Sequence, residues 1–353
     1  MKKGEFELIG WIKGQFEVPE GILGIGDDCA VIPQRDGLET LVTTDMLVEG
    51  VHFLLEDIDP YSLGWKSAAV NLSDIAGMGG RPVGSFLSTA LPKSIPDGFT
   101  EEFIRGYKDI SDRFNCPLLG GDTTASKDRL CISVTVLGSC GSGQSLKRSG
   151  ARPGDLVCVT GTLGDSAAGL RLILERSAGY RQKGLTLREM PAGYPENHPT
   201  LRENARRVSP ETPDPAGILV ERHYRPVPRI AEGLRLAATT GVGACMDISD
   251  GVGSDLRHIL EASGVSARVD VRSLPLSAEL RDLCARRGWE AAELALDGGE
   301  DYELLFTCRP GTPVSIPHSV IGEILAAPEG PESTGSVIIW EGADRDFTGF
   351  RHF

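Results

Sequence analysis

Apolar runs of strand length alternate along this chain with longer stretches whose apolar positions recur at helical spacing. In the first half the strand-like runs are ETLVTTD (39–45), VGSFLSTAL (83–91) and LCISVTVLGS (130–139). Two helices are predicted among them. One opens at Asp59-Pro60, a capping residue followed by proline at the first helical position, and runs through WKSAAVNLSDIAG. The other follows Thr100, with Glu101 and Glu102 in its first turn and Phe103, Tyr107, Ile110 and Phe114 on one face. Turn residues at SGARPGD (149–155) separate this half from a second, which opens with a strand, a glycine turn and a helix in DLVCVTGTLGDSAAGLRLILE. A helix at PRIAEGLRLAATTG, a strand-turn-helix at ACMDISDGVGSDLRHILEASG, and strands at ARVDV, ELLFT and SVIIWEG follow. The pattern predicts two α/β domains, 1–150 and 151–353. Residues 177–217 break it: rich in proline and charge and poor in periodicity, they read as a mobile insertion in the second domain.

Composition narrows the function classes. Of 353 residues, 40 % are hydrophobic and 24 % charged, which is ordinary for a globular protein with a sizeable core. The formal net charge of -14 argues against nucleic acid, which needs clustered Lys and Arg, but leaves room for nucleotides that arrive with metal. No apolar run is long enough to span a bilayer or to act as a signal peptide, so the expected location is the cytoplasm. The eight cysteines show no CxxC pairing and several sit in strand-like runs, as reduced, buried thiols do.

Seven aspartates stand out against that background. Asp27 and Asp28 lie in GIGDDCAVI, Asp45 in LVTTDMLVEGVHF, Asp74 in NLSDIAGMGG, Asp122 in LLGGDTTAS, and Asp247 with Asp250 in MDISDG. Carboxylates among small residues suit loops that converge on magnesium, which prefers oxygen ligands and keeps water or substrate phosphate in its shell. Gathered without cations they would repel one another. No GxxxxGK[ST] occurs, the third glycine of a dinucleotide fingerprint is missing after GIGDDC, and the protein-kinase motifs are absent. The remaining phosphate-handling device is the carboxylate set, with glycines at GGD (120–122) and SDG (249–251) that admit anions to backbone amides. Single aspartates have ordinary roles too. Asp165 in TLGDSAAG reads as a helix cap, and Asp27 reads equally well as a turn residue.

GIGDDCAVI, TTDMLVEGVHF, NLSDIAGMGGRP, LLGGDTT, TGTLGDSAAGL, MDISDGVGSDL and LDGGEDYELLFT occur in this order over nearly the whole chain. Together they resemble the thiamine-monophosphate kinases, a family of the aminoimidazole-ribonucleotide-synthetase superfamily. The resemblance implies ATP-dependent phosphorylation of thiamine monophosphate to thiamine diphosphate, with several magnesium ions. It also implies a homodimer whose N-terminal domains share a β-barrel, each followed by a C-terminal α/β sandwich. Carried over by motif, Asp28, Asp45, Asp74, Asp122, Asp247 and Asp250 would hold metal, assisted by Thr43 or Thr44. Gly121, Asp122, Arg148 and Ser249 would contact ATP, and His52, Glu300 and Phe350 the thiamine moiety. Ile104 stands where an ATP-side aromatic is expected, and the insertion has no counterpart. An acceptor phosphate is mostly dianionic at neutral pH and needs no strong base, so direct transfer is expected, with no His or Lys base evident. Other ATP-dependent synthetases of the superfamily, and a nucleotide-binding module without turnover, are the alternatives. Selenophosphate-forming relatives carry an early reactive Cys or selenocysteine where this chain has Phe16-Glu17, and hydrogenase-maturation relatives end in a cysteine motif where this chain ends FRHF.

Overall fold

The structure is a computed structural model describing residues 4–182, 214–328 and 336–350. It contains two sheets. The first has the order β1-β2-β5-β3-β4, formed by β1 (Ala30–Pro33), β2 (Leu38–Val48), β3 (Arg81–Pro92), β4 (Leu118–Ser126) and β5 (Cys131–Gly141). Only β3 and β4 run parallel; the other pairs are antiparallel. The second has the order β11-β8-β10-β6-β9-β7, formed by β6 (Leu156–Val159), β7 (Val242–Asp247), β8 (Val265–Asp270), β9 (Leu304–Cys308), β10 (Ser319–Ala326) and β11 (Ile338–Glu341). The helices are α1 (Glu5–Lys13), α2 (Pro60–Gly77), α3 (Phe99–Arg113), α4 (Asp165–Gln182), α5 (Pro215–Tyr224), α6 (Ile230–Ala237), α7 (Val252–Ser263), α8 (Ala278–Arg287) and α9 (Ala291–Asp297). The two-domain α/β organisation is that expected from the hydrophobic pattern. The central part of the insertion, 183–213, lies outside the described residues; its flanks at 177–182 and 215–217 belong to α4 and α5.

Helix α2 is the centre of the molecule. It starts where Asp59-Pro60 predicts, with Asp59 Oδ1 accepting from the Ser62 amide at 2.9 Å. Fourteen of its eighteen residues are buried, so it is apolar or small on almost every side, as a helix enclosed by both domains must be. Its Leu63, Leu72, Ile75 and Ala76 share one core with Leu41, Val134 and Val136 of the first sheet and with Leu304 and Phe306 of the second. The other face of the first sheet exposes Met46, Val83, Phe86, Leu118 and Leu119. Alternation along β2 sorts the two faces: Leu41, Thr43 and Leu47 point into the core, whereas Thr44 and Met46 face outward. A second core fills the space between the second sheet and α7, around Val157, Val159, Leu256 and Ile259.

Three expectations change on folding. LLGGDTTAS, expected as a loop, is the edge strand β4, exposed along almost its whole length. Its glycines are tolerated there because they relieve crowding: a Cβ on Gly121 would stand 1.8 Å from the Leu87 carbonyl oxygen. Asp165 does not cap α4. The amides of Gly164 and Ser166 donate instead to Asp301, at 2.7 and 3.3 Å. Asp165 accepts from Thr162 and Ser277 and pairs with Arg222. Most of the seven aspartates do not lie in loops: Asp45 is on β2, Asp74 in α2, Asp122 on β4 and Asp247 ends β7.

Candidate active site

Four aspartates from four elements meet where the C-terminal end of α2 abuts the second sheet. Asp28 comes from the loop before β1, anchored by buried Cys29, and Asp45 from the inner face of β2. Asp74 comes from the last turn of α2 and Asp247 from the end of β7. The contact depends on Gly77: a Cβ there would lie 2.5 Å from Asp28 Oδ2 and 3.0 Å from the Asp247 amide. Thr43 donates its hydroxyl to Asp74, and Asn71 accepts the Asp45 amide at 3.0 Å. Thr44 points the other way and bonds the Val134 carbonyl and Thr135, so only Thr43 belongs to this site.

Among the described residues Arg148 is the cation that bonds the cluster. Arg148 donates to Asp28 Oδ1 from Nε at 3.0 Å and from Nη2 at 2.8 Å, and its amide donates to Asp27 Oδ1 at 2.9 Å. Asp27 Oδ1 thus ties its loop to a backbone amide 121 residues away, a long-range contact and not a local turn. Among the described residues Asp28 Oδ2 is buried without a hydrogen-bond partner. Burial, joined by the neighbouring carboxylates, pushes the group upward. Asp45 rises to about 6 through burial and Asp28, and Asp247 to about 8 through burial, Asp28 and Asp45. Asp74 goes well above the carboxylate range through burial, Asp45, Asp247 and Asp28. Burial also outweighs Arg148 at Asp28 and leaves it raised. Such mutual destabilisation of anions marks a site built for positive charge from elsewhere. Among the described residues no three acidic, His or Cys side chains close around one point. The donors therefore suit cations seated between carboxylates, with water or phosphate oxygen filling the remaining positions.

The turn 249–251 links this cluster to Glu300 and Phe350. Asp255, at the start of α7, accepts the amides of Asp250 and Gly251 at 3.2 and 3.1 Å and so shapes the turn. The Ser249 carbonyl accepts the Glu300 amide at 2.7 Å, and the Asp250 carbonyl accepts the Phe350 amide at 2.9 Å. Phe350 leaves its ring half exposed beside the turn. Glu300 takes a φ of 62°, a conformation that non-glycine residues seldom adopt. Its Oε2 lies 3.0 Å from Lys66 Nζ and 3.3 Å from His223 Nδ1. Burial raises the Glu300 carboxyl, but the Lys66 ammonium paired with it more than reverses this and holds it below its ordinary value. His52 closes the loop after β2 by accepting the Val48 amide on Nδ1 at 3.0 Å.

Gly121 and Asp122 lie apart from both groups. They line a cavity of about 360 Å³ between β3, β4 and α3, whose other walls include Leu87, Phe99, Phe103 and Ile104. Asp122 is exposed on the edge strand and does not contribute to the shifts of the four clustered aspartates. Lys66, His223, Asp255 and Asp301 are absent from the sequence-derived set. Asp255 and Asp301 sit within MDISDGVGSDL and LDGGEDYELLFT but are not singled out there, and Lys66 left a trace as a lysine in the otherwise small and apolar SLGWKSAAV.

Two family models match the chain: the AIR synthase related protein N-terminal domain over residues 26–140 and its C-terminal domain over 152–338. The thiamine-monophosphate kinase of Salmonella typhimurium is 40 % identical over 319 residues, covering 87 % of this chain and 85 % of that protein. That of Bacillus subtilis is 37 % identical over 285 residues, covering 81 % and 77 %. A solved structure of AaThiL complexed with AMPPCP and TMP superposes with a TM-score of 0.80 at 34 % identity, covering 99 % of this chain and 97 % of that one. Identity and coverage at this level, with matching models in both halves, place the chain in the thiamine-monophosphate kinase family of the AIR synthase related proteins.

Proposed function

We propose that this thiamine-phosphate kinase moves the terminal phosphoryl group of ATP directly onto the phosphate of thiamine monophosphate, giving thiamine diphosphate and ADP. The observation that carries the reading is a cluster of mutually destabilised carboxylates, served by one guanidinium, beside a glutamate held as an anion. Asp28, Asp45, Asp74, Asp247 and Asp250 would hold magnesium, with Thr43 fixing Asp74, and Asp122, apart from them on β4, would meet magnesium on the ATP side. Bound magnesium supplies charge neutralisation for the phosphates of donor and acceptor. Arg148 holds Asp28 through Nε and Nη2, and as a fixed cation beside the cluster it meets ATP phosphate. Ser249 and Gly121 line the ATP path. The cavity beside Gly121 and Ile104 takes the adenine, with aliphatic contact at Ile104 in place of a stacked ring. His52, Glu300 and Phe350 receive the thiamine moiety: Phe350 stacks on its heterocycles and Glu300 accepts from the amino edge of its pyrimidine. With the acceptor phosphate mostly dianionic, in-line positioning is the main task left to the protein.

Residues 1–150 form the dimerisation and nucleotide domain, and 151–353 the C-terminal α/β sandwich. The exposed apolar face of the first sheet supports a homodimer in which two such sheets close a shared barrel. Among the described residues no helix is long and apolar enough to cross a membrane, and we assign the enzyme to the cytoplasm. The test is direct: purified protein with ATP, magnesium and thiamine monophosphate should yield thiamine diphosphate and ADP in equal amounts, and none in excess EDTA. Production of AMP, or turnover undiminished by EDTA, overturns the reading.

A further inference from the structure

The buried pair Lys66–Glu300 is 234 residues apart in sequence and is unusual in composition: a lysine with a side chain only 1 % exposed, in the middle of α2. Burying an ammonium is costly unless it is paired and hydrogen-bonded. Lys66 Nζ meets Glu300 Oε2 at 3.0 Å and His223 Nε2 at 3.4 Å. An ammonium can only donate, so Nε2 must accept, which puts the imidazole proton on Nδ1, facing Ser166 Oγ at 2.9 Å. Burial, then Lys66, pushes His223 down to about 3, so the ring is neutral and its tautomer fixed. The helices that carry these groups are packed elsewhere: α5 ends where the Tyr224 hydroxyl donates to the Asp57 carbonyl at 3.1 Å, and Trp65 Nε1 donates to the Pro226 carbonyl at 2.7 Å.

The consequence falls on Glu300. Its backbone is held in the left-handed region by the Ser249 carbonyl, and its Oε2 is taken by Lys66. Both ion-pair contacts, with Lys66 and His223, fall on Oε2, and a quarter of the side chain remains exposed. Backbone strain of this kind persists where surrounding contacts over-determine it, and such places are often ligand sites. An ionised carboxylate accepts and never donates. It therefore takes an amino group and rejects a carbonyl at the same place.

We propose that Lys66 and His223 are positioning residues that make Glu300 a fixed hydrogen-bond acceptor, and so set the preference for an acceptor bearing an exocyclic amino group over one bearing a carbonyl there. The inference rests on thiamine monophosphate as the acceptor. It assigns Lys66 no contact with substrate.

The test is steady-state kinetics of wild type, Lys66→Met, Glu300→Gln and the double variant. Each is assayed with thiamine monophosphate and with its oxo analogue, in which the pyrimidine amino group is replaced by a carbonyl. Lys66→Met should raise the acceptor KM about ten-fold or more while the ATP KM stays within about two-fold, the scale of one lost charge-assisted bond. The amino-over-oxo preference should fall by a similar factor. Because Lys66 acts through Glu300, adding Lys66→Met to Glu300→Gln should change the acceptor KM little further. Lys66→Met leaves a buried carboxylate unpaired and is the variant most exposed to misfolding. The double variant carries no such charge, and its comparison with Glu300→Gln decides the matter alone. An acceptor KM unchanged in Lys66→Met, equal rises for ATP and acceptor, an unchanged amino-over-oxo preference, or effects that multiply in the double variant overturn the proposal. Wild type that fails to phosphorylate thiamine monophosphate overturns the functional reading itself, a separate result.

Discussion

Two acidic sites, linked through the turn 249–251, are neutralised by opposite strategies. At Glu300 the chain brings its own counter-charge: Lys66 is buried against one carboxylate oxygen and the carboxyl is held low. At the aspartate cluster Arg148 pairs with Asp28, and among the described residues no ion pair reaches Asp45, Asp74 or Asp247, whose carboxyls rise. The two sites pull stability in opposite directions with pH. Glu300, with its folded pKa lowered, contributes stability that is present above its unfolded value and is lost as pH falls. The aspartates, with folded pKa values raised, hold protons that the unfolded chain releases earlier, so the cation-free protein loses stability as pH rises. A carboxylate that is already satisfied recognises a neutral or amino-bearing group. Carboxylates left in conflict await an ion.

The comparison breaks most sharply at Asp247. Asp247→Asn keeps the shape and removes one charge, and turnover should fall by about two orders of magnitude or more, with a raised magnesium requirement. The same change should make the cation-free protein more stable at about pH 9, where wild-type Asp247, at about 8, is forced to ionise. Kinetics and thermal melting on one preparation check both. Lower activity with lower alkaline stability would make Asp247 an ordinary structural residue.

A smaller effect reads the cluster without mutation. Folded-state values of about 6 for Asp45 and about 8 for Asp247 mean that the cation-free fold carries protons that a metal must displace. Magnesium should therefore raise the melting temperature more at about pH 8.5 than at about pH 6, because proton competition fades as pH rises. Glu300→Gln should leave that difference in place, since its carboxyl belongs to the other site. Equal magnesium shifts at both pH values would remove the proposed competition.

How much of this contrast the sequence carries differs between the two sites. Asp28, Asp45, Asp74 and Asp247 sit in short glycine- or threonine-rich segments, and small neighbours such as Gly77 are what allow their elements to approach. Their grouping was legible for that reason. The element types were not: glycine and threonine in LLGGDTTAS read as a loop, but an edge strand tolerates them when crowding at Leu87 leaves no room for a side chain. Nor was Asp122's separation, which follows from the place of β4 at the sheet edge. The Glu300 site was half visible. Its carboxylate lies in a recognisable motif, but Lys66 and His223 reach it from α2 and α5, and only packing brings those helices together. The expectation that no Lys or His base is evident concerned proton transfer, whereas these two act on another side chain.

The insertion sharpens the comparison from outside. Ser166 and His223 stand on α4 and α5, the helices that flank residues 183–213, and both are anchored within the described fold. Ser177 of α4 and Tyr224 of α5 each bond Asp57. Asp214 caps α5 by accepting the Ala216 amide at 3.2 Å, so it must be kept. Replacing 184–212 with a short glycine linker should leave kcat and both KM values within about two-fold, because loop closure varies slowly with length. A selective rise in the acceptor KM would mean that the insertion supports the Glu300 site.

The smallest effect concerns the thiols nearest the unsatisfied carboxylates. Cys29 and Cys245 are buried against the aspartate cluster, and their thiols are pushed far up, by burial first and then by Asp74 at Cys29 and Asp28 at Cys245. A thiolate is the reactive form, and uncompensated negative charge suppresses it. Cys131 and Cys140, on β5, are the two with partial exposure, and burial together with Glu39 takes Cys140 to about 12. Alkylation of the native protein should therefore be confined to these two and leave turnover unchanged, as followed by mass spectrometry alongside the kinase assay. Stoichiometric inactivation through Cys29 or Cys245, prevented by ATP and magnesium, would show a reactive thiol inside the cluster. That result would contradict the repulsive field on which the contrast between the two sites depends.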